Sequence, residues 1–417
     1  MGVAGSPIKH DLGLSDSQFG ALHGMAFVGL YCLFGIPLGW LADRADRRRI
    51  IAGGLVFWTV MTAGCGLAKS FAAFFVARIG VGLGEACLLP AGMSLLGSSV
   101  PEARMARAVA IFLMGATAGN AFALLAGGQL LSRLDSLGPM ALPITGSIAP
   151  WRILFLLACL PGLIVAGLFL AFREPPRRTA PGLSRGQSGA AIAHLRANLR
   201  AYTLLTAATA CSVTLAQAQA AWIPQLYGRH FGLSPGTSAT TVGFLFLLSA
   251  PAGQWLGGQL IDHLRAKSVA AAPNVILACC GLLCLPAATI FCLSNRLWLS
   301  ELTYGVFNFL VFAATPAGLT GWQCLTPERY AGLVTALLVS IVTLIGVGLG
   351  PVLVGLVTDY IFHDEGALGK SLLTVISIAG MGSCVFALAG KRAFVLAAES
   401  AQSGREESSL NDQPRQA

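Results

Sequence analysis

The sequence predicts an all-α membrane protein of two pseudo-symmetric helical bundles, and three observations carry that expectation. Apolar runs of about 20 residues, long enough to cross a bilayer, recur almost end to end. Only 11% of the 417 residues are charged and 55% are hydrophobic, with a mean hydropathy of +0.73; soluble domains carry about a quarter charged residues. The third observation is the run Gly39-Trp40-Leu41-Ala42-Asp43-Arg44-Ala45-Asp46-Arg47-Arg48-Arg49, a knot of charge between two apolar segments. A knot that short cannot lie in hydrocarbon, so it turns at a membrane face, and its clustered arginines assign the cytoplasmic one.

Taken in order, eleven spans are expected, at 18–42, 50–68, 71–99, 106–131, 153–172, 201–223, 238–261, 269–293, 297–324, 331–361 and 372–396. Backbone groups in lipid must be satisfied within the segment, and no period-2 pattern suggests a barrel, so each span is read as a helix. With the Arg44 turn inside, the opposite connections hold only Lys9, Lys69, Arg133, Arg152, Arg229, Arg296 and Lys370 of the 27 lysines and arginines. That bias fixes the orientation, with the C-terminus cytoplasmic. The +9 net charge therefore lies mainly between spans, where it meets anionic lipid headgroups. No nucleic-acid partner is expected. The eleven cysteines fall within or at the edges of apolar segments without zinc spacing and are read as small packing residues. Neither metal nor cofactor is expected.

Four regions follow: an N-terminal bundle of five spans over 1–172, a cytoplasmic linker over 173–200, a C-terminal bundle of six spans over 201–396, and a disordered cytoplasmic tail over 397–417. The linker is marked by Pro175-Pro176, Pro181 and a Ser/Gly/Arg-rich stretch. The halves look like a diverged repeat. Gly39-x-Leu-Ala-Asp43 is echoed by Gly258-x-Leu-Ile-Asp262, and Pro101-Glu102-x-Arg104 by Pro327-Glu328-Arg329. Two related bundles joined by a basic linker is the layout of a two-half carrier.

These residues reach a family. Gly39-x-Leu-Ala-Asp43-Arg44-x-x-Arg47-Arg48 resembles the signature hairpin of the major facilitator superfamily. Asp11-Leu-Gly-Leu-Ser-Asp16, Ala77-Arg78-Ile-Gly-Val-Gly-Leu-Gly-Glu85-Ala86 and Gly348-Leu-Gly-Pro351 resemble its Spinster-type members. The resemblance implies twelve spans with both termini inside. In relatives a segment like Pro7–Asp16 follows directly on the first span, so that span is expected to be absent here and Met1 to lie outside. A misplaced start and a natural truncation would both produce this. A bacterial inner (plasma) membrane is the expected location.

Ionisable residues deep in lipid cost roughly 2.5–3.5 kcal/mol each and default to a functional reading. Arg78 and Glu85 share one span, seven residues apart and so on one face, about 10 Å from each other and too distant for a direct ion pair. Resemblance implies that Arg78 pairs with a proton-titrating acid on the first span; without it, Arg78 either binds substrate anion or only bridges helices. Glu85 is either a proton carrier or a protonated, hydrogen-bonded structural group. His23 and Tyr31 lie near one face of their span, Asn120 is mid-span, and Gln217, Gln219 and Trp222 sit towards the outer end of 201–223. Glu301, Tyr304 and Asn308 form an i, i+3, i+7 stripe. All are candidates for substrate binding and proton coupling. Resemblance further implies a cytoplasmic gate in which Asp43 faces a neighbouring helix start, with Gly39, Arg44, Arg47, Arg48 and the repeat's Asp262 completing it. Glycine pairs at GxxxG spacing, Gly20/Gly24 and Gly80/Gly84 among them, permit close helix crossings.

The expected function is secondary active transport of a small organic or lipid-like amphipathic anion by alternating access, as a proton-coupled symporter or antiporter. No Walker loop offers ATP as an energy source, and no His-Glu-x-x-His or Gly-x-Ser-x-Gly motif suggests an enzyme. The expected partners are the substrate, protons and membrane lipids, with the chain acting as a monomer. The alternative expectation is a transport-incompetent remnant or a non-transporting membrane sensor, disabled by the missing span.

Overall fold

Three prolines fall at breaks in the long apolar segments, whereas Pro37, Pro224, Pro251, Pro286 and Pro316 lie inside continuous helices. The structure, a computed structural model, describes residues 1–42, 44–101, 104–138, 140–142, 146–171, 173–174 and 185–411. Its first helices are α1 (Gly5–Leu12), α2 (Asp16–His23), α3 (Met25–Ala42), α4 (Arg47–Leu67), α5 (Phe71–Glu85), α6 (Leu88–Ser99) and α7 (Met105–Leu137). The expected span 71–99 is thus two helices: the ring of Pro90 has no N–H to donate and crowds the carbonyl of Ala86, where α5 ends. Likewise 153–172 forms α8 (Pro150–Leu157) and α9 (Cys159–Ala171), parted at Ala158 just after the Leu157 carbonyl that Pro161 would crowd. The helices α10 (Arg185–Ala197), α11 (Leu199–Phe231), α12 (Pro235–Ala266), α13 (Ala272–Leu293) and α14 (Leu297–Leu325) follow. The expected span 331–361 is then α15 (Glu328–Val342), a π-helical stretch Thr343–Leu349, α16 (Gly350–Val357) and a second π stretch Thr358–Phe362. Pro351 is the second residue of α16, within the first turn after the first of these stretches, where a missing donor is tolerated.

Eight stretches among the described residues are long and apolar enough to cross a membrane: Asp16–Gly35, Arg47–Leu67, Phe71–Ser99, Pro150–Ala171, Ala272–Leu293, Leu297–Leu325, Val334–Phe362 and Glu365–Ala401. The other three expected spans, 106–131, 201–223 and 238–261, lie inside the continuous helices α7, α11 and α12, of 33, 33 and 32 residues. In α11 the series Thr203, Thr206, Thr209, Ser212, Thr214, Gln217 and Gln219 lowers the hydropathy. The all-α class holds, with one small addition: strands β1 (Met140–Leu142) and β2 (Gly146–Ile148) pair antiparallel, Met140 opposite Ile148.

Two regions differ from expectation. Within the linker 173–200, residues 185–197 are helical as α10, where Ala190, Ala191 and Ala193 favour a helix. The tail expected to be disordered from 397 is helical as far as Asn411, because α17 (Leu368–Asn411) continues through Ala397-Ala398-Glu399 without a breaker. Residues 412–417 lie outside the described set.

The chain forms two compact units. One comprises Met1–Ala180, Gln217–Leu248 and Val347–Leu372. Its core gathers Ile8, Leu22, Phe74, Val81, Trp151 and Phe155, with Phe74 and Trp151 each meeting Phe155 edge-on. The other comprises Pro181–Ala216, Ser249–Gly346 and Leu373–Ala417, around Tyr202, Leu205, Leu277, Trp322 and Phe394. There His194 of α10 and the Tyr202 hydroxyl both reach the Leu325 carbonyl at the end of α14, at 3.0 Å each. Many large apolar side chains stand exposed, among them Leu33, Val76, Ile111, Phe122, Ile164, Trp255, Ile378 and Leu396. A water-soluble surface does not carry apolar residues on this scale; this is an integral, multi-pass membrane protein.

Candidate functional site

In the first unit, α2, α3 and α5 bring four ionisable side chains together. Arg78, half-buried on α5, donates from Nε to the Leu22 carbonyl on α2 at 3.2 Å, and its guanidinium lies 5.5 Å from the Phe27 ring of α3. Phe27 in turn stacks on Tyr31 at 5.7 Å. Among the described residues no carboxylate pairs with Arg78. Glu85, at the end of the same helix, lies within electrostatic range of both Arg78 and Tyr31, and His23 within range of Arg78. The His23 Nδ1 is buried without a hydrogen-bond partner among the described residues, and its ring lies 6.3 Å from Phe19. Among the described residues, one of the five guanidinium N–H groups has a hydrogen-bond acceptor and four do not.

The remaining candidates divide. Trp222 is fully buried, donates from Nε1 to the Pro351 carbonyl at 2.9 Å, and meets Phe19 edge-on. Gln219 is fully buried beside it on α11, Gln217 is half-buried, and Asn120 on α7 is exposed. In the second unit, Asn308 donates to the Ser249 hydroxyl at 2.6 Å and Tyr304 packs on Phe291, both buried, while Glu301 is half-buried.

The charged hairpin is more than a surface anchor. Asp43 lies outside the described residues. Asp46 caps α4, accepting from the amides of Arg48 and Arg49. Arg48, paired with Asp46 at 2.9 Å, holds that carboxyl well below the usual carboxylate range. Arg44 folds back over Trp40, 4.1 Å from its ring. Gly39 faces Pro90 of α6 across ordinary van der Waals distance. Arg47, expected as part of the gate motif, is only 1% exposed: Nε donates to Glu174 at 2.8 Å and Nη1 to the Ser98 hydroxyl and the Ser94 carbonyl of α6. Sequence reading missed Glu174, Ser94 and Ser98, which no spacing links to the hairpin. Asp262, exposed, lines a cavity of about 530 Å³ with Arg265, Ser268, Cys324 and Glu399.

A second ionic cluster was not foreseen at all. Asp16, fully buried at the start of α2, accepts two hydrogen bonds of 2.7 Å from Arg229 of α11, one to each carboxylate oxygen, and pairs with Lys9 at 2.7 Å. Lys9 also meets Glu365 at 2.6 Å. Asp359 accepts from the amides of Ser17 and Asp16, at 2.7 and 3.3 Å, so a carboxylate stands at the N-terminus of α2. One turn further along, Gly20 and Gly24 press against the backbone of Pro351, Val347 and Gly348, leaving no room for a Cβ. Elements from the first half of the sequence are here clamped to α11, α16 and the segment after α16.

The Major Facilitator Superfamily model matches residues 1–351. The chain belongs to the major facilitator superfamily, a family of membrane transporters. It is 26% identical over 402 residues to an MFS-type efflux pump of Mycolicibacterium smegmatis, covering 94% of this chain and 88% of that one. It is 30% identical to the cis,cis-muconate transport protein of Acinetobacter baylyi over 40% of this chain and 37% of that protein. Its fold is that of a bacterial homologue of the human lysosomal transporter Spinster, solved inward-facing and unoccupied, at a TM-score of 0.75, 24% identity, and coverage of 96% and 93%. The Spinster-type fold expected from Asp11–Asp16, Arg78–Glu85 and Gly348–Pro351 is thereby present.

Proposed function

We propose that this protein is a secondary active transporter that carries a small organic or amphipathic anion by alternating access, driven by protons. One observation carries the substrate's charge. Arg78 is a half-buried guanidinium within a membrane span, held by a single carbonyl and an aromatic face and with no carboxylate among the described residues to neutralise it. A cation so placed costs several kcal/mol unless it meets an anion. A carboxylate or phosphate ligand supplies one, bidentate on the planar fork. Glu85, Tyr31 and His23 beside it are the groups through which proton occupancy would couple to that anion. Relatives described as moving muconate or acting as an efflux pump support a transported organic solute.

The Asp16–Arg229–Lys9–Glu365 cluster is the outer gate, closed in this conformation. Transport then requires it to separate while the Arg44–Arg49 hairpin, on the cytoplasmic face, closes in turn. The working parts are the two bundles 1–172 and 201–396, acting as a monomer in the bacterial inner membrane with the C-terminus cytoplasmic. The test is anion binding by the purified chain: a thermal-shift screen over muconate, tartrate and sphingolipid phosphates, at pH 5.5 and 7.5. The proposal expects stabilisation that is lost in Arg78→Gln. Stabilisation equal in wild type and variant refutes it.

A further inference from the structure

Between α3, α4 and α5 lies a slot of about 670 Å³ that the transport mechanism above does not use. Its walls are Phe34, Leu38 and Leu41 of α3, Ile50 and Phe57 of α4, and Leu83 of α5. Its mouth, where α3 has ended and α4 begins, is formed by Asp46 and Arg49. Apolar length closed at one end by a charged pair is the shape of a single amphiphile.

Two glycines on α4 give the slot its depth, in opposite ways. At Gly54 a Cβ would strike the sulfur of Cys87 and the Gly84 carbonyl, so α4 and α5 touch there and make the floor. At neighbouring Gly53 a Cβ would meet nothing within 4 Å, so the space beside it is open.

The charges at the mouth are not equivalent. Asp46 is engaged by Arg48, whose Nη2 donates at 2.9 Å, and by the amides of Arg48 and Arg49. Among the described residues the Arg49 side chain meets an acid only at Asp46, through Nε at 3.4 Å, and is 79% exposed. The mouth therefore presents an acid already satisfied and a guanidinium with most of its donors outward. That favours an anion over an ammonium group.

We infer that this slot seats one anionic glycerophospholipid of the surrounding bilayer, an acyl chain between α3 and α4 and the phosphodiester on Arg49. Acyl chains gain little by exchanging one apolar surface for another in a membrane, so the headgroup supplies selectivity. Basic pockets between spanning helices at a membrane face are where anionic headgroups bind.

Native mass spectrometry of the detergent-purified full chain tests this, titrating dioleoyl phosphatidylglycerol against dioleoyl phosphatidylcholine. The wild type is expected to hold one phosphatidylglycerol about tenfold tighter than phosphatidylcholine, because both offer a phosphodiester to Arg49 but only phosphatidylcholine adds a quaternary ammonium that the guanidinium repels. Arg49→Gln should remove that preference and Arg49→Lys should keep part of it. Gly53→Phe, which fills open space, should displace the first bound lipid of either kind while the melting temperature stays near wild type. Unchanged preference in Arg49→Gln, or an undisturbed first lipid in Gly53→Phe, overturns the assignment.

Discussion

Asp16→Asn tests the reading of the Asp16 cluster as a gate. The side chain keeps its shape and can still accept one hydrogen bond, but its charge is lost to two cations, Arg229 in bidentate contact and Lys9 at 2.7 Å. Removing one partner of a buried ion pair costs about 3–5 kcal/mol. Lys9 retains Glu365, itself 66% exposed, and Arg229 keeps Gln225 and the Glu365 carbonyl, so the lower end, about 3 kcal/mol, applies. At 1.4 kcal/mol per factor of ten, the ratio of closed to open outer gate falls roughly a hundredfold. The assay is electron-spin distance measurement between labels on His10→Cys and Gly366→Cys, both exposed, with the native cysteines replaced. The account expects one short separation in the parent and a longer component that dominates after Asp16→Asn. Identical distributions in the two proteins would refute the gate.

Three further outcomes follow from the geometry. Arg47→Lys, which keeps the charge but cannot span Glu174, Ser94 and Ser98 at once, should lower stability by about 1–3 kcal/mol, and Glu174→Gln, which leaves the buried guanidinium without its acid, by about 3 kcal/mol; calorimetry in detergent reads both. Gly24→Val should cost about 1–3 kcal/mol by forcing a side chain onto the Val347 and Gly348 carbonyls, and should weaken the outer closure in the same distance assay. Asp46 titrates lower in the folded chain than the ordinary carboxylate value of about 3.9, so its capping of α4 is complete above that value and fades only as pH falls through the lowered one. Hydrogen exchange at the Arg48 and Arg49 amides should therefore stay slow down to pH 4, whereas Asp46→Ala should speed it at every pH.

Much of the fold was legible because hydrocarbon imposes a simple rule on sequence: apolar lengths and charged turns. The hairpin at Arg44–Arg49 and the Spinster-like segments led directly to the family. The internal breaks were less visible, although Pro90, Pro161 and Pro351 marked three of them. The pairing of Arg78 with α2 and α3 was half legible: its depth and its companion Glu85 follow from numbering, but the Leu22 carbonyl and the Phe27 ring do not. The Asp16 cluster was hidden for a plainer reason. Residues 9, 16, 229, 359 and 365 are separated by most of the chain, and Arg229 entered the sequence argument only as one of the few cations opposing the topology rule. Trp222 and Asn308 are candidates because polar atoms in spans attract that reading; their bonds to the Pro351 carbonyl and the Ser249 hydroxyl are not legible from spacing.

The most direct test of the whole account is uptake into proteoliposomes under an imposed pH step, using radiolabelled muconate, tartrate and a sphingolipid phosphate. Accumulation of one of these anions above its external concentration, abolished by collapsing the pH difference and by Arg78→Gln, is the predicted result. Accumulation that persists in Arg78→Gln, or flux of every anion only down its own gradient whatever the pH difference, would contradict it.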